Sequence, residues 1–365
     1  MGLIDSDKRS LRFAIIASTT GGLSVATVTA MISGILRSEL LTTPVPLWSL
    51  LVAAGATLAS SFMLPLLNHR HPPSKRVFLV IPAFVQKHWV AELLQNIHHS
   101  LNLRGYDLVL KIPDRDYAAI AQVHHLRQII RQRTEYVGGF IIPNEVERIR
   151  PDLVKFCNEA SMPVVFVDVE PFRSEHDYPH RSAFAGYSAS EIGELAADWV
   201  VAYLHHSKEQ RPTVLIVGGD AQNLRQERFK DVISHRIKGV RIIDDKGEFV
   251  RSRAQDVVQK HLEQIYASGQ QLHVIFCTND EMALGAVDAL YSLDPAKAHL
   301  TAVIGVDGTP QARALIDTRK SPLRATVVQE SYELAEHATD LLVRLLGDDN
   351  VAAQTLLKAR VYSRD

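Results

Sequence analysis

One acidic stretch of the sequence carries the side chains best suited to chemistry. Residues 276–290 read FCTNDEMALGAVDAL, a pattern typical of a strand end, a polar elbow and the first turns of a helix. Asn279, Asp280 and Glu281 could form a catalytic corner, contact a ligand or start the helix. Asp280 can cap the helix, with Glu281 favourable in its first turn, and Asn279 can cap it equally well. We therefore prefer a structural role for Asp280 over catalysis.

The other candidate motifs are not typical of an enzyme or a metal site. The segment GGDAQ at residues 218–222 lacks the glycine spacing and the Lys-Ser/Thr end of a phosphate loop. The histidines occur as neighbours within helical patterns: His98-His99, His124-His125 and His205-His206. Neighbours on a helix do not face each other and cannot share a metal ion. The sequence predicts a protein that is not an enzyme and has no metal and no cofactor.

Composition excludes some partners. The 365 residues include 40 Lys and Arg against 41 Asp and Glu, a formal charge of -1. This balance lacks the basic excess that nucleic-acid binding requires. The length suits a membrane segment followed by one large or two medium globular units. Cys157 and Cys277 lie far apart in apolar surroundings, and we expect both to be buried free thiols.

The beginning of the chain contains two long apolar runs. Residues 13–36 and 40–67 carry no charge, and each reaches the roughly 20 residues that a spanning helix needs. A signal peptide is an alternative for the first run, but the run exceeds the usual apolar region and a second one follows closely. We predict a membrane segment over residues 1–71, with helices at about 13–36 and 44–68, and a linker over 72–76.

The cations around these runs predict an orientation. They flank the pair on its outer sides: Lys8, Arg9, Arg12, Arg70, Lys75 and Arg76. The link between the runs offers only Arg37, which Glu39 offsets. Because positive residues stay on the cytoplasmic side, we expect two spans of the inner membrane with the large domain in the cytosol.

From residue 77 onward, apolar runs alternate with helical patterns. The first series of runs is VFLVIPAF, YDLVLKI, GGFIIP and PVVFVDV, and the second is TVLIVGG, VRIIDD, VIFCTND and TAVIGVDG. Continuous apolar runs between helices indicate parallel strands buried on both faces. The predicted fold class is α/β, with two doubly wound parallel-sheet lobes. Ligands bind outside the carboxyl ends of such strands, so two facing lobes would form a cleft there.

Three motifs in this order carry a resemblance to a known family. CTNDEMALGAVDAL, TAVIGVDGTPQARALID and RATVVQ together resemble the ribose-binding-protein and lac-repressor-core family, the type I periplasmic-binding fold. The resemblance covers residues 77–365 and implies lobes that close around a ligand by hinge motion. It also implies discontinuous lobes, with the following boundaries: about 77–183 and 330–356 for lobe 1, and about 184–329 and 357–365 for lobe 2.

The resemblance further implies a set of ligand-binding residues. They are Lys87, Trp89, Asp168, Arg228, Phe249, Asn279, Asp307 and Gln329. Trp89 and Phe249 would supply aromatic plates for the apolar face of a sugar, and the polar side chains would pair its hydroxyls. The family pattern thus favours ligand contact for Asn279.

Three departures from the pattern of the ribose binders affect the expected ligand. Val90 replaces a second phenylalanine, Lys87 an asparagine, and Val169 an arginine beside Asp168. Losing a stacking face and an arginine fork changes shape and hydrogen bonding, so free ribose is not the expected ligand. Lys87 and Arg228 would accept a phosphate. The hypothesis is a modified pentose or a nucleotide-like ligand.

The leading functional interpretation is a membrane-anchored, cytosol-facing sensor. A small sugar-like ligand would close the cleft, and closure would signal to a membrane or protein partner, with a homodimer or higher oligomer possible. One alternative is a membrane-disrupting effector gated by such a ligand. Another is the extracytoplasmic solute-binding component of an ABC sugar importer, which requires the opposite topology. Repressor relatives begin with a helix-turn-helix, whereas apolar runs occupy that position here, and no nucleic-acid partner is expected.

Overall fold

The computed structural model describes residues 75–82, 88–113, 118–207, 210–219 and 224–364. The predicted membrane segment, with its spans at about 13–36 and 44–68, lies outside the described residues, and so does Lys87. Within the described ranges, no helix has both the length and the apolar character needed to cross a bilayer.

The described residues form alternating strands and helices. The strands are β1 (Arg76–Val80), β2 (Asp107–Lys111), β3 (Gly138–Ile141), β4 (Val164–Val167), β5 (Ser182–Tyr187), β6 (Thr213–Gly218), β7 (Arg241–Lys246), β8 (Val274–Cys277), β9 (Ala302–Asp307), β10 (Leu323–Val328), β11 (Gln354–Leu357) and β12 (Arg360–Ser363). The helices are α1 (His88–Leu103), α2 (Ala119–Arg131), α3 (Val146–Ala160), α4 (Ala189–Ser207), α5 (Leu224–Arg236), α6 (Arg251–Ala267), α7 (Asp280–Leu293), α8 (Pro310–Asp317) and α9 (Ser331–Leu346).

The strands form two sheets of the same build. The first has the order β11-β5-β4-β3-β1-β2 and the second β12-β10-β9-β8-β6-β7. Every described pairing is parallel except that of β12 with β10. Both sheets therefore repeat a doubly wound order, in which the first strand of each series lies inside and the second at the edge. The predicted α/β fold with two parallel-sheet lobes is confirmed.

Burial follows the apolar runs of the sequence. The inner strands β3, β4 and β8 are buried at every position, as expected where helices cover both faces of a sheet. Helix α7 is buried on nearly all sides, and its small residues permit this. A Cβ on Gly285 would lie 2.1 Å from the carbonyl oxygen of Arg251 on α6, so the two helices approach closely.

The chain passes between the two sheets three times, after Tyr187, Val328 and Leu357. The predicted boundary near residue 183 falls inside β5, which stays in the first sheet through Tyr187. The Tyr187 hydroxyl donates to the backbone oxygen of Glu330 at 3.2 Å and accepts from its N–H at 2.9 Å. Burial raises the pKa of Tyr187 to about 12, which keeps the hydroxyl neutral and able to fill both roles. Two of the three crossings are thus hydrogen-bonded to each other.

Candidate functional site

The guanidinium group of Arg225 connects the two lobes. Arg225 lies in the first turn of α5, beyond the carboxyl end of β6 in the second sheet. One of its nitrogens donates to the backbone oxygen of Thr278 at 3.2 Å, and another to Oε1 of Gln329 at 3.0 Å. The second nitrogen also lies 3.9 Å from a carboxylate oxygen of Asp168, which follows β4 in the first sheet. The side chains of Arg225 and Asp168 are each 16% exposed, so this ion pair is largely removed from water.

Gln329 lies at a crossing and is hydrogen-bonded on several sides. Its backbone N–H donates to the carbonyl oxygen of Asp307 at 3.1 Å, and its backbone oxygen accepts from the indole of Trp89 at 2.8 Å. The side chain is buried, and its Nε2 has no hydrogen-bond partner in the described structure. The buried hydroxyl of Thr278 likewise has no partner among the described residues. Leaving a buried donor unpaired costs about 1–3 kcal/mol, which a bound hydroxyl group would recover.

The polar elbow has two structural roles. Asn279 caps a helix, and the hydrogen bonds of Asp280 to Thr309 and Thr326, here called the brace, hold a neighbouring turn. Asn279 is the N-cap of α7, because its Oδ1 accepts from the backbone N–H of Met282 at 2.9 Å. The interpretation of Asp280 as the cap is therefore wrong, although its role is structural. The Asp280 carboxylate is fully buried and accepts from Thr309 and Thr326. Ligand contact by Asn279 stays a prediction.

The brace holds the turn that carries Asp307. Asp280 accepts from the Thr309 N–H at 2.7 Å and from its hydroxyl at 2.9 Å, and the Thr326 hydroxyl donates to it at 2.7 Å. Thr326 in turn accepts from the N–H of Gly308 at 3.2 Å. Asp307 and Gly308 both have positive φ, 115° and 74°, a conformation that disfavours Asp307 unless its surroundings enforce it. Asp280 thus fixes a strained backbone at the carboxyl end of β9.

The two predicted aromatic residues occupy different environments. Phe249 has φ 59° and follows Glu248 at 54°, so two consecutive non-glycine residues are held in the left-handed region, at a cost of order 1–3 kcal/mol each. A Cβ on Gly219 would lie 1.9 Å from the Phe249 ring, so the ring lies directly against the backbone that follows β6. Trp89 is 6% exposed and packs in the core. Its observed polar contact is with Gln329, and its ligand contact stays a prediction.

Arg228 does not join this group. Its Nε and one terminal nitrogen donate to Glu194 on α4 at 3.2 and 3.0 Å, and its other terminal nitrogen donates to Asp231 at 2.9 Å. Three residues advance a helix by roughly 4.5 Å, which takes Arg228 one turn further from the strand ends than Arg225. Sequence reasoning missed Arg225. Its position in the first turn after an apolar strand is the signal that could have identified it.

Asp168 is held in an uncommon backbone conformation. Its φ is 68°, and its backbone N–H donates to the carbonyl oxygen of Ala185 at 3.1 Å. Strained residues persist where the surrounding structure enforces them, and they cluster at ligand sites. Of the predicted residues, the structure brings together Trp89, Asp168, Asp307 and Gln329, with Asn279 next to Thr278 in the same group. Phe249 lies at the same carboxyl edge of the second sheet.

Metal binding finds no support in the described part of the chain, where no group of three or more His, Cys, Asp or Glu side chains could hold an ion. The cysteines are buried and free, as predicted. Burial raises the pKa of Cys157 to about 12 and raises that of Cys277 as well. Neither thiol is therefore activated as a nucleophile.

Comparison with known proteins places this architecture in a family. The family model that describes the periplasmic binding protein domain matches residues 77–350 of the sequence. The chain therefore belongs to the periplasmic binding protein family, which confirms the resemblance drawn from the three motifs.

Curated relatives and solved structures agree with this assignment. The chain is 22% identical over 306 residues to the ribose import binding protein of Salmonella typhimurium, covering 82% of this chain and 94% of that protein. It is 23% identical over 272 residues to the ribose operon repressor of Escherichia coli K12, covering 73% of this chain and 74% of that protein. A solute-binding protein of an ABC transporter from Bacillus halodurans, solved with bound myo-inositol, has a TM-score of 0.68 at 18% identity, covering 80% and 96%. Its counterpart from Actinobacillus succinogenes, with bound D-allose, has a TM-score of 0.67 at 16% identity, covering 79% and 97%.

The brace predicts a pH-dependent stability. Burial raises the pKa of Asp280 from 3.8 to about 6, so the native state binds this proton more tightly than the unfolded state. The contribution of Asp280 to the free energy of unfolding should therefore fall as the pH rises from about 4 to about 6. Asp280→Asn removes this titration and places an amide donor against the Thr donors. The variant should be less stable throughout, with a deficit that is larger at pH 4 than at pH 6.5.

Denaturant unfolding of the full chain at both pH values measures this difference. Asp256→Asn, at an exposed position on α6, is the matched control and should leave stability and its pH dependence unchanged. An Asp280→Asn deficit that is independent of pH would contradict the account of this carboxylate.

Proposed function

We propose that the chain is a binding protein that takes a small, neutral, sugar-like ligand between its two lobes. The observation that carries the proposal is the buried amide of Gln329, which holds an unused donor beside the Arg225–Asp168 pair. A sugar hydroxyl both donates and accepts. It can accept from the Gln329 amide and the Arg225 guanidinium and donate to the Asp168 carboxylate.

The charges of the site favour a neutral ligand over an anionic one. The cation of Arg225 faces the carboxylate of Asp168, and Asp307 lies at the carboxyl end of β9 in the second sheet. Arg228, which the sequence suggested as a phosphate anchor, is already paired with Glu194 and Asp231. A phosphate would have to compete with these carboxylates for the arginines. This redirects the earlier hypothesis from sugar phosphates to neutral sugars, in agreement with the ribose, D-allose and myo-inositol of the relatives' names.

Ligand binding and lobe closure are coupled in this proposal. Asp168 belongs to the first lobe and Arg225 to the second, so one ligand that contacts both is bound more tightly when the lobes are closed. A ligand shifts a conformational equilibrium only by such a difference in affinity. Closure is then the signal that the protein reports.

We further propose that the apolar runs at residues 13–36 and 40–67 anchor this domain to the inner membrane, with the cleft in the cytosol. The support is the distribution of flanking cations. A second candidate is the solute-binding component of an ABC importer, with the cleft outside. The similarity to a ribose import binding protein and to solute-binding proteins of ABC transporters favours it.

The ligand class is tested by titration calorimetry of the full chain in mild detergent. The panel is D-ribose, D-allose, myo-inositol and ribose 5-phosphate. We expect a neutral member to bind more tightly than the phosphate. Arg225→Lys should weaken that binding at least tenfold, because a lysine cannot reproduce the guanidinium fork.

Arg228→Lys is the matched control, since the same substitution three residues along removes no group from the proposed site. The affinity of Arg228→Lys for the neutral sugar should stay within about twofold of the wild-type value, because Arg228 pairs with Glu194 and Asp231 outside the proposed site. Binding of the phosphate alone would overturn the proposed ligand class. An equal loss in the two variants would overturn the proposed role of Arg225 in the site.

The location is tested by fusing alkaline phosphatase or a fluorescent protein to the carboxyl end of the full chain. The sensor proposal predicts fluorescence and no phosphatase activity, because phosphatase folds only outside the cytosol, where disulfides form. Active phosphatase would reverse the orientation and support the importer component. The calorimetric result is independent of this outcome.

A further inference from the structure

Glu330 lies where the chain returns from the second lobe to the first. It follows Gln329 at the second crossing and is the N-cap residue of α9. Helix α9 packs against α1, β4 and β5 of the first lobe. The side chain of Glu330 makes no capping hydrogen bond to this helix. It is directed instead to the other lobe, so the backbone and the side chain of one residue are held by different lobes.

The backbone of Glu330 is held by the first lobe. The hydroxyl of Tyr187, at the end of β5, accepts from its N–H at 2.9 Å and donates to its carbonyl oxygen at 3.2 Å. Tyr187 is buried, so water competes little for these two bonds. They fix the start of α9 relative to the first sheet. The backbone of Glu330 therefore moves with the first lobe.

The carboxylate of Glu330 binds two arginines of the second lobe. Its Oε1 accepts from a terminal nitrogen of Arg313 on α8 at 3.1 Å, and also from a terminal nitrogen of Arg360 at the start of β12. Arg360 follows the third crossing, so one carboxylate connects two crossings. The side chains of Glu330 and Arg313 are 36% and 31% exposed. An isolated exposed ion pair contributes little to stability, but charges joined in a network contribute more.

Arg313 extends this network to the proposed ligand site. Its Nε donates to the carbonyl oxygen of Gly308 at 2.7 Å, in the turn that carries Asp307. Its guanidinium carbon also lies 5.6 Å from the centre of the Tyr362 ring on β12, a cation–π distance. Two contacts within the second lobe thus hold this cation in place. Its third contact, to Glu330, joins the turn at Asp307 to the first lobe.

We propose that Glu330 is a positioning residue for ligand binding and that its ion pairs with Arg313 and Arg360 favour the closed cleft. The inference rests on the proposed function, in which the closed lobes bind a sugar-like ligand. In the described arrangement these ion pairs form together with the contact between Arg225 and Asp168. Rotation of the lobes apart moves the carboxylate, whose backbone belongs to the first lobe, away from arginines that belong to the second. Opening of the cleft therefore weakens both sets of contacts.

A second ion pair of α9 provides an internal comparison. Glu336 pairs with Arg104 at 3.1 Å, and the two side chains are 32% and 31% exposed. This geometry nearly matches that of Glu330 with Arg313. Glu336 and Arg104 both belong to the first lobe, so rotation between the lobes leaves their contact unchanged. The same substitution at the two glutamates therefore separates an effect on closure from the general loss of an ion pair.

The test measures the distance between the lobes in the full chain in mild detergent. Spin labels on Lys155→Cys in α3 and Asp256→Cys in α6, both at exposed positions, report this distance by pulsed electron paramagnetic resonance. Cys157 and Cys277 are buried and should stay unlabelled. Distance distributions are recorded without sugar and during titrations with D-ribose, D-allose and myo-inositol.

Glu330→Gln keeps the shape of the side chain and removes its charge. The ratio of closed to open forms should fall about fivefold, with and without sugar, and the half-saturating sugar concentration should rise by up to about the same factor. Arg360→Gln, at an exposed position, should lower the ratio by itself. Added to Glu330→Gln it should change little, because its partner is already neutral.

Glu336→Gln is the matched control and should leave the ratio of closed to open forms unchanged. Denaturant unfolding of each variant checks that it is folded under the conditions of the distance measurement. An unchanged ratio in Glu330→Gln, an equal fall in Glu336→Gln, or additive effects of Glu330→Gln and Arg360→Gln would overturn the proposal. If none of the three sugars changes the distance, the proposed ligand class fails, whereas the distributions without sugar still test the role of Glu330.

Discussion

The described structure depends at its centre on one guanidinium group that serves both lobes. Arg225 donates to Thr278 and Gln329 and faces Asp168 from the other sheet. A charge so far removed from water is tolerated only where ion pairs and hydrogen bonds compensate it. Each of its partners is therefore held in place: Gln329 by Trp89 and Asp307, and Asp168 by a backbone bond to Ala185. At the proposed site, Arg225 thus links three segments of the chain: the end of β8 at Thr278, the crossing at Gln329 and the residue after β4, Asp168.

A second buried acidic group, the carboxylate of Asp280, supports the turn that carries Asp307. The Asp280 carboxylate accepts hydrogen bonds from Thr309 and Thr326, and these contacts fix the turn after Asp307. In the same turn, the carbonyl oxygen of Asp307 accepts a hydrogen bond from the backbone N–H of Gln329. The polar elbow that first resembled a catalytic corner is thus the support of a binding site.

The sequence predicted the fold well because the signals were periodic and redundant. Uninterrupted apolar runs such as VIFC and VVFV, alternating with helical patterns, indicated strands buried on both faces, and the two series repeated one order. The set of site residues came from the family resemblance, and ligand contact by these residues stays a prediction. The structure brings Asp168 and Asp307 into one group because each lies at the carboxyl end of a strand. The exceptions lie on helices. Arg225 and Arg228 lie within one turn of each other and give the same sequence pattern. Distinguishing them requires the exact start of α5, which the sequence does not fix.

The elbow shows a second limit. Asn279 and Asp280 are both good capping residues, and only the tertiary contacts of Thr309 and Thr326 decide which of them caps. Local patterns do not contain that information, because the deciding partners lie 29 and 46 residues further along the chain than Asp280. The pairing of Arg228 with Glu194 was hidden from the sequence for the same reason, since it joins two helices. The charge of the ligand stays a prediction.

The proposed function places a neutral sugar-like ligand where the two lobes meet, in contact with groups from both. The most direct test is a crystal structure of the full chain with whichever neutral sugar binds best. The account predicts a ligand oxygen within about 3.2 Å of the Gln329 side-chain nitrogen, contacts to both Asp168 and Arg225, and the Phe249 ring against an apolar face of the sugar. A ligand bound elsewhere, or one that contacts a single lobe and leaves the Gln329 amide unpaired, would contradict it.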